Sequence, residues 1–165
     1  MRVLGVDCGS TSTGVGILES DGRGTRVLHY GAIRPGRSQP FAARLEHIHR
    51  ELERLVARFH PQSIAVEQVF QAYNVKSAMQ LSQVRGVVLL AAARAGLTVS
   101  EYSALTVKRS VVGTGRAEKH QVQRMVQRLL ALPGVPEPTD AADALAVALC
   151  HLREETTRQR LARNV

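Results

Sequence analysis

Val3-Leu4-Gly5-Val6-Asp7-Cys8-Gly9-Ser10-Thr11-Ser12-Thr13-Gly14-Val15-Gly16-Ile17-Leu18 is the stretch that decides the fold. Two apolar runs flank a knot of Gly, Ser and Thr, which predicts a β-hairpin opening the domain. Asp7 falls where the first strand ends. An acid in that place either hydrogen-bonds its own turn or faces the open edge of a sheet, and the hairpin alone does not choose between them.

Outward from the hairpin, Asp21-Gly22 and Gly24 mark a turn, and residues 25–34 read as a third strand. Leu45, Ile48, Leu52, Leu55 and Val56 recur at steps of three and four, predicting an amphipathic helix over 41–59. Ser63-Ile64-Ala65-Val66-Glu67 is a short buried strand closed by an acid. A loop holding Phe70 and Tyr73 leads into a helix over 75–95, with Gly96 as its stop. The second half of that helix is apolar on nearly every side, enough surface for the sheet and for a second subunit. Residues 97–102 form a fifth strand, and 106–112 and 118–130 read as helices split by Gly113-Thr114-Gly115. Pro133, Pro136 and Pro138 break the chain before a last helix over 140–152. Residues 153–165 are charged and expected to fray. The order βββαβαβααα describes one α/β domain over 1–152, a five-stranded mixed sheet flanked by helices on both faces.

Composition narrows the classes. An apolar content of 44% over 165 residues suits a globular core. The longest apolar run, residues 87–93, is too short to cross a bilayer, so no membrane association is expected. The N-terminus shows no secretion-signal pattern, and the two cysteines, Cys8 and Cys150, form no metal-ligand spacing. A reducing cytoplasmic setting follows as the expectation. Twenty-two Lys and Arg against fourteen Asp and Glu leave a net charge of +8. That balance points to a polyanionic partner, nucleic acid first, although Arg outnumbers Lys nineteen to three and an Arg-rich proteome would produce the same excess.

Asp7 and Glu67 end strands, and Asp140 and Asp143, three apart, share a face at the start of the last helix. If the first and fourth strands are parallel neighbours, Asp7 and Glu67 emerge at one sheet edge, where α/β sheets place ligands. Each acid has a plainer role open to it: Asp140 and Asp143 can cap their helix, and Glu67 can simply face solvent. Together they are harder to explain that way. Carboxylates about 5 Å apart repel by roughly 3 kcal/mol per pair at an effective dielectric of 20, so four of them call for a cation. Oxygen ligands without a His or Cys pattern favour Mg²⁺ or Mn²⁺ over zinc. Two such ions can clamp the attacking and leaving oxygens of a phosphodiester displacement, which together with the basic charge describes a nuclease.

These stretches resemble the RuvC family of Holliday-junction resolvases, within the ribonuclease H-like fold. The matching segments are Gly5 to Ser10 with Thr13-Gly14, Ala65-Val66-Glu67-Gln68-Val69-Phe70, Arg85-Gly86-Val87, Val107-Lys108 with Val111-Val112-Gly113, Ala117-Glu118-Lys119 with Val122, and Asp140-Ala141-Ala142-Asp143-Ala144-Leu145-Ala146. The resemblance implies a homodimer that binds four-way junction DNA and makes paired nicks leaving ligatable 5′-phosphate and 3′-hydroxyl ends. It implies that Asp7, Glu67, Asp140 and Asp143 hold two Mg²⁺ ions, with Mn²⁺ able to substitute and Asp7 between them. Lys108 and Lys119 correspond to family lysines near the scissile phosphate, though solvent-facing helical lysines would read the same. Phe70 corresponds to an aromatic that stacks on an opened base at the crossover, or else packs into the core. The RuvA–RuvB branch-migration complex is the partner the family implies. Cys8 stands where the family commonly has Pro, which predicts a packed free thiol beside the acid. Thr11 and Ser12 replace bulkier or basic family residues, leaving DNA contacts there open, and His151 is expected to be structural.

Three other functions fit parts of the pattern. The Gly-Ser-Thr turn also looks like the phosphate loop of actin-like and sugar-kinase ATPases, but those need two such domains and the chain is too short. A ribonuclease H-like nuclease acting on RNA or RNA–DNA hybrids is nearer. A catalytically silent junction-binding protein is the third, and the complete acid set argues against it.

Overall fold

The computed structural model describes residues 1–68 and 74–163. Phe70 and Tyr73 therefore lie outside the described residues. Five strands, β1 (Arg2–Asp7), β2 (Thr13–Ser20), β3 (Thr25–Ile33), β4 (Ser63–Glu67) and β5 (Thr98–Tyr102), form one sheet in the order β3-β2-β1-β4-β5. The first three pair antiparallel, as hairpin-connected strands do, whereas β4 runs parallel to β1 and β5 parallel to β4. The parallel connections pass through helices α1 (Phe41–Phe59) and α2 (Val75–Arg94).

Side-chain alternation divides the sheet into two faces. Leu4, Val6, Val15, Ile17, Ile64 and Val66 bury against Ile48 and Leu52 of α1 and Val84 and Val88 of α2. The opposite face carries Val3, Leu18 and Ala65 and is covered by α3 (Ala104–Val112), α4 (Lys119–Leu129) and α5 (Thr139–Arg163). Glycine alternates on this second face, and that is why α5 sits where it does. A Cβ on Gly5 would lie 2.1 Å from the Ala144 carbonyl oxygen, one on Gly14 1.9 Å from that of Asp140, and one on Gly16 2.8 Å from Leu145 Cδ2. With no side chains between them, the helix backbone rests directly on β1 and β2. The small residues Ala141, Ala144 and Ala148 are buried at the same contact.

One expected boundary is wrong. The last helix does not stop near residue 152 with a frayed tail beyond it; α5 continues to Arg163. Leu149 and Leu152 are buried, the Arg153 guanidinium reaches the Ser110 carbonyl, and Arg158 pairs with Glu155 at 2.7 Å one turn earlier. Those anchors carry helical geometry into a segment whose composition alone reads as solvated charge. The other boundaries fall within two residues of expectation.

Cys8 is free and buried, the packed thiol expected there, and Cys150 is free and buried as well. Burial, then the neighbouring Asp7 charge, pushes the Cys8 thiol up to about 12. His151 is buried and structural: Ser63 Oγ lies 3.0 Å from its Nε2 and Tyr102 Oη 2.8 Å from its Nδ1, tying α5 to β4 and β5. Among the described residues no helix is long and apolar enough to cross a membrane.

Candidate active site

The parallel register of β1 and β4 pairs Val3 with Ser63 and Val6 with Val66, so Asp7 and Glu67 leave the sheet at the same edge. Both continue the alternation of the face that α5 covers. The glycine contact brings the first turns of α5 over the same strand ends, carrying Asp140 and Asp143 with them. The α3–α4 hairpin closes the other side. Ser103 caps α3 by accepting from the Thr106 amide at 3.1 Å, Gly113 ends it in the left-handed region, and the Glu118–Gln121 capping box starts α4. These caps fix the two helices, Lys108 projecting from the middle of α3 and Lys119 from the first residue of α4.

The result is an open cleft of about 360 Å³ whose lining includes Asp7, Glu67, Asp143, Lys108 and Lys119. Asp140 is not on that lining. Its carboxylate accepts a hydrogen bond from Ser12 in the β1–β2 turn, which goes beyond capping its own helix. The sequence brings the four acids together but marks Ser12 only as a position whose DNA contacts are open, without its bond to Asp140, and gives no contact role to Gly5, Gly14 and Gly16. The alternate spacing of Gly14 and Gly16 along one strand was the available signal that another backbone approaches there.

Electrostatics show the strain of the arrangement. Burial raises the Asp7 carboxyl to about 8, and Asp143, Glu67 and Asp140 add to the shift while Lys119 opposes it. Burial raises Glu67 too, then Asp143, against the pull of Lys119 and Lys108. Asp143 is raised by burial, partly held back by Lys119 Nζ, which sits 2.6 Å from its Oδ2. Burial would lower Lys119, but its bond to Asp143 and the charges of Asp143, Asp7 and Asp140 raise it overall. Two ammonium groups, Lys119 most closely, therefore offset only part of the negative charge of the site.

Among the described residues no three acid, His or Cys side chains converge as a ready chelate. Lys119 engages Asp143 and Ser12 engages Asp140. The donor set nevertheless suits a hard divalent cation: the acids present only carboxylate oxygens, and Asp7, raised first by desolvation and then by Asp143, Glu67 and Asp140, sits among like charges that such an ion would relieve.

A mixed sheet in this order, with acids at the ends of two parallel neighbours and on the helix that crosses them, is a ribonuclease H-like fold. The family model described as crossover junction endodeoxyribonuclease RuvC matches residues 3–151. The chain belongs to the RuvC family of crossover junction endodeoxyribonucleases. A relative of that description from Koribacter versatilis is 51% identical, covering 98% of this chain and 98% of its own. Another, from Marinobacter nauticus, is 50% identical over 98% of this chain and 91% of its own. Among solved structures, that of T. thermophilus RuvC in complex with Holliday junction substrate superposes with a TM-score of 0.87 at 35% identity, covering 92% of this chain and 93% of that one. The nucleases of this family are metal-dependent.

Proposed function

We propose that the chain resolves four-way DNA junctions in the cytoplasm as a homodimer, making paired symmetric nicks with one site per subunit. The observation that carries this reading is the cleft in which Asp7, Glu67 and Asp143 meet Lys108 and Lys119 at the ends of parallel strands. Residues 1–152 act as one nuclease domain in this proposal.

Asp7, Glu67, Asp140 and Asp143 would hold the divalent cations, two of Mg²⁺ with Mn²⁺ able to replace it. Such ions supply Lewis-acid activation of water and stabilise charge on the departing 3′-oxygen. The remaining work belongs to the chain. Lys119, paired with Asp143 in this structure, would with Lys108 hold the scissile phosphate and balance charge developing on it. The Asp7 carboxyl, at the end of a central strand, would be held in place by the sheet. Phe70 stacks on an opened base at the crossover. The alternative, cleavage of RNA–DNA hybrid, draws on the same acids.

A synthetic four-way junction, a linear duplex and an RNA–DNA hybrid, each incubated with Mg²⁺, Mn²⁺ or EDTA, separate the two. Symmetric, ligatable nicks on the junction alone, lost in EDTA, are expected. Hybrid cleavage without junction cleavage would mean the substrate is wrong.

Support for the dimer comes from α2. Its inward face buries Val84, Val88, Ala91 and Ala92, while Met79 and Leu90 stay exposed, 61% and 54%, with exposed Gly86 and Ala93 on the same outer stripe. A two-fold axis through such a stripe matches the near two-fold symmetry of a junction. Leu90→Glu is expected to shift the protein to monomer at micromolar concentration in sedimentation velocity and to uncouple the two nicks. A dimer that survives this substitution would place the interface elsewhere. Branch-migration proteins of the RuvA–RuvB type are the proposed partners.

A further inference from the structure

The turn between β1 and β2 reaches into the acid cluster. Ser12 Oγ donates a hydrogen bond to Asp140 Oδ2 from 128 positions earlier in the chain. Both groups are presented by braced backbone. The Ser12 carbonyl oxygen occupies space that only glycine leaves open at position 9, since a Cβ on Gly9 would lie 2.1 Å from it. Thr13, itself fully buried, donates from Oγ1 to the Gly9 carbonyl at 2.8 Å and closes the turn. The Arg44 guanidinium reaches from α1 to the Ser10 carbonyl and ties the same turn to the sheet's other face. Opposite, Gly14 admits the Asp140 backbone onto β2.

We infer that Ser12 is a positioning residue for Asp140: it engages Oδ2, sets the plane of the carboxylate and leaves Oδ1 to a divalent cation. This inference rests on Asp140 being a cation ligand. A carboxylate on a free side chain loses rotamer freedom when it binds a cation, and one already oriented by a hydrogen bond loses less. Asp140 also faces repulsion from Asp143 and Asp7, whose carboxyls its charge helps to raise. Without a donor on its far oxygen, that repulsion would turn the carboxylate toward solvent. Hydrogen-bond partners of ligating carboxylates typically govern affinity by about 10–100-fold.

The test is calorimetric titration of the full chain with Mn²⁺, free of DNA, alongside thermal unfolding in EDTA. Ser12→Ala is expected to weaken cation binding about tenfold, and Ser12→Thr, which keeps the hydroxyl, to restore it. In an Asp140→Asn background Ser12→Ala should have no further effect on affinity. A merely structural serine would lower the melting temperature and weaken binding equally in both backgrounds. Unchanged affinity in Ser12→Ala, or an equal loss with Asp140→Asn present, overturns the inference while leaving Asp140 a ligand. If Asp140→Asn alone binds Mn²⁺ as tightly as the parent chain, Asp140 is not a ligand and both readings fall together.

Discussion

Asp7→Asn is expected to reduce junction nicking by about a thousandfold or more and, at the same time, to make the metal-free protein more stable. The two effects have one cause. Asp7 is a half-buried acid on the cleft, among three others, and desolvation first, then its acidic neighbours, raises its folded pKa from 3.8 to about 8. Between those values the unfolded chain carries the charge and the folded chain carries the proton, so the folded state binds more protons. Stability of the metal-free protein therefore falls as pH rises from about 4 to about 8, and the penalty is fully present above that window. Asparagine has no charge to bury. After discounting for the opening of the cleft to solvent, the difference above pH 8 is on the order of a few kcal/mol, or a melting temperature higher by about 10 °C. Below pH 4 the two proteins should melt together. Adding Mg²⁺ should raise the melting temperature of the parent chain much more than that of the variant. Melting curves from pH 4 to 9 in EDTA and in Mg²⁺ provide the check. A variant less stable than the parent at pH 8.5 without metal would mean that Asp7 braces the turn instead of suffering burial.

Gly5→Ala, like Gly14→Ala, should be among the most damaging single methyl groups in the chain. Its Cβ would meet the Ala144 carbonyl oxygen at 2.1 Å and Ala148 Cβ at 2.9 Å, both on α5. Neither neighbour is the end of a flexible side chain, so relief requires lifting the helix from the sheet. Overpacking of this kind costs about 1–3 kcal/mol where neighbours can yield, and here they are backbone and a buried alanine. A loss of about 3 kcal/mol or more, near 10 °C in melting temperature, is expected. Because α5 carries Asp140 and Asp143, any folded variant should also bind Mn²⁺ more weakly. Gly24→Ala, where an added Cβ meets nothing within 4 Å, is the control and should be nearly neutral. Similar melting temperatures for the two variants would show that the helix can ride over a methyl group.

The candidate site became visible in stages. Asp7 and Glu67 are legible because each ends an apolar run, and Asp140 and Asp143 because a spacing of three puts them on one helical face. Lys108 and Lys119 could be named only through family resemblance, since helical lysines are ordinarily solvated. Nothing local could reveal that Lys119 pairs with Asp143 or that Ser12 reaches Asp140, because each pair joins elements well separated in the chain.

Local pattern determined the strands and helices themselves. The amphipathic repeat of residues 41–59 and the short apolar run of 63–67 each carry their own periodicity, so they form as read. The opening hairpin likewise followed from two apolar runs and a turn. Tertiary structure decided what those elements do to one another. Residues 153–163 are helical because buried Leu149 and Leu152 anchor the preceding turns and Arg153 finds the Ser110 carbonyl. The glycines of the hairpin are platforms for a helix more than hinges for a turn, a role that exists only once α5 lies on them. Periodicity says which residues share a face, but which faces meet is settled by packing between distant segments. The acids were readable one by one; the cleft shared by Asp7, Glu67 and Asp143 is a property of the folded sheet.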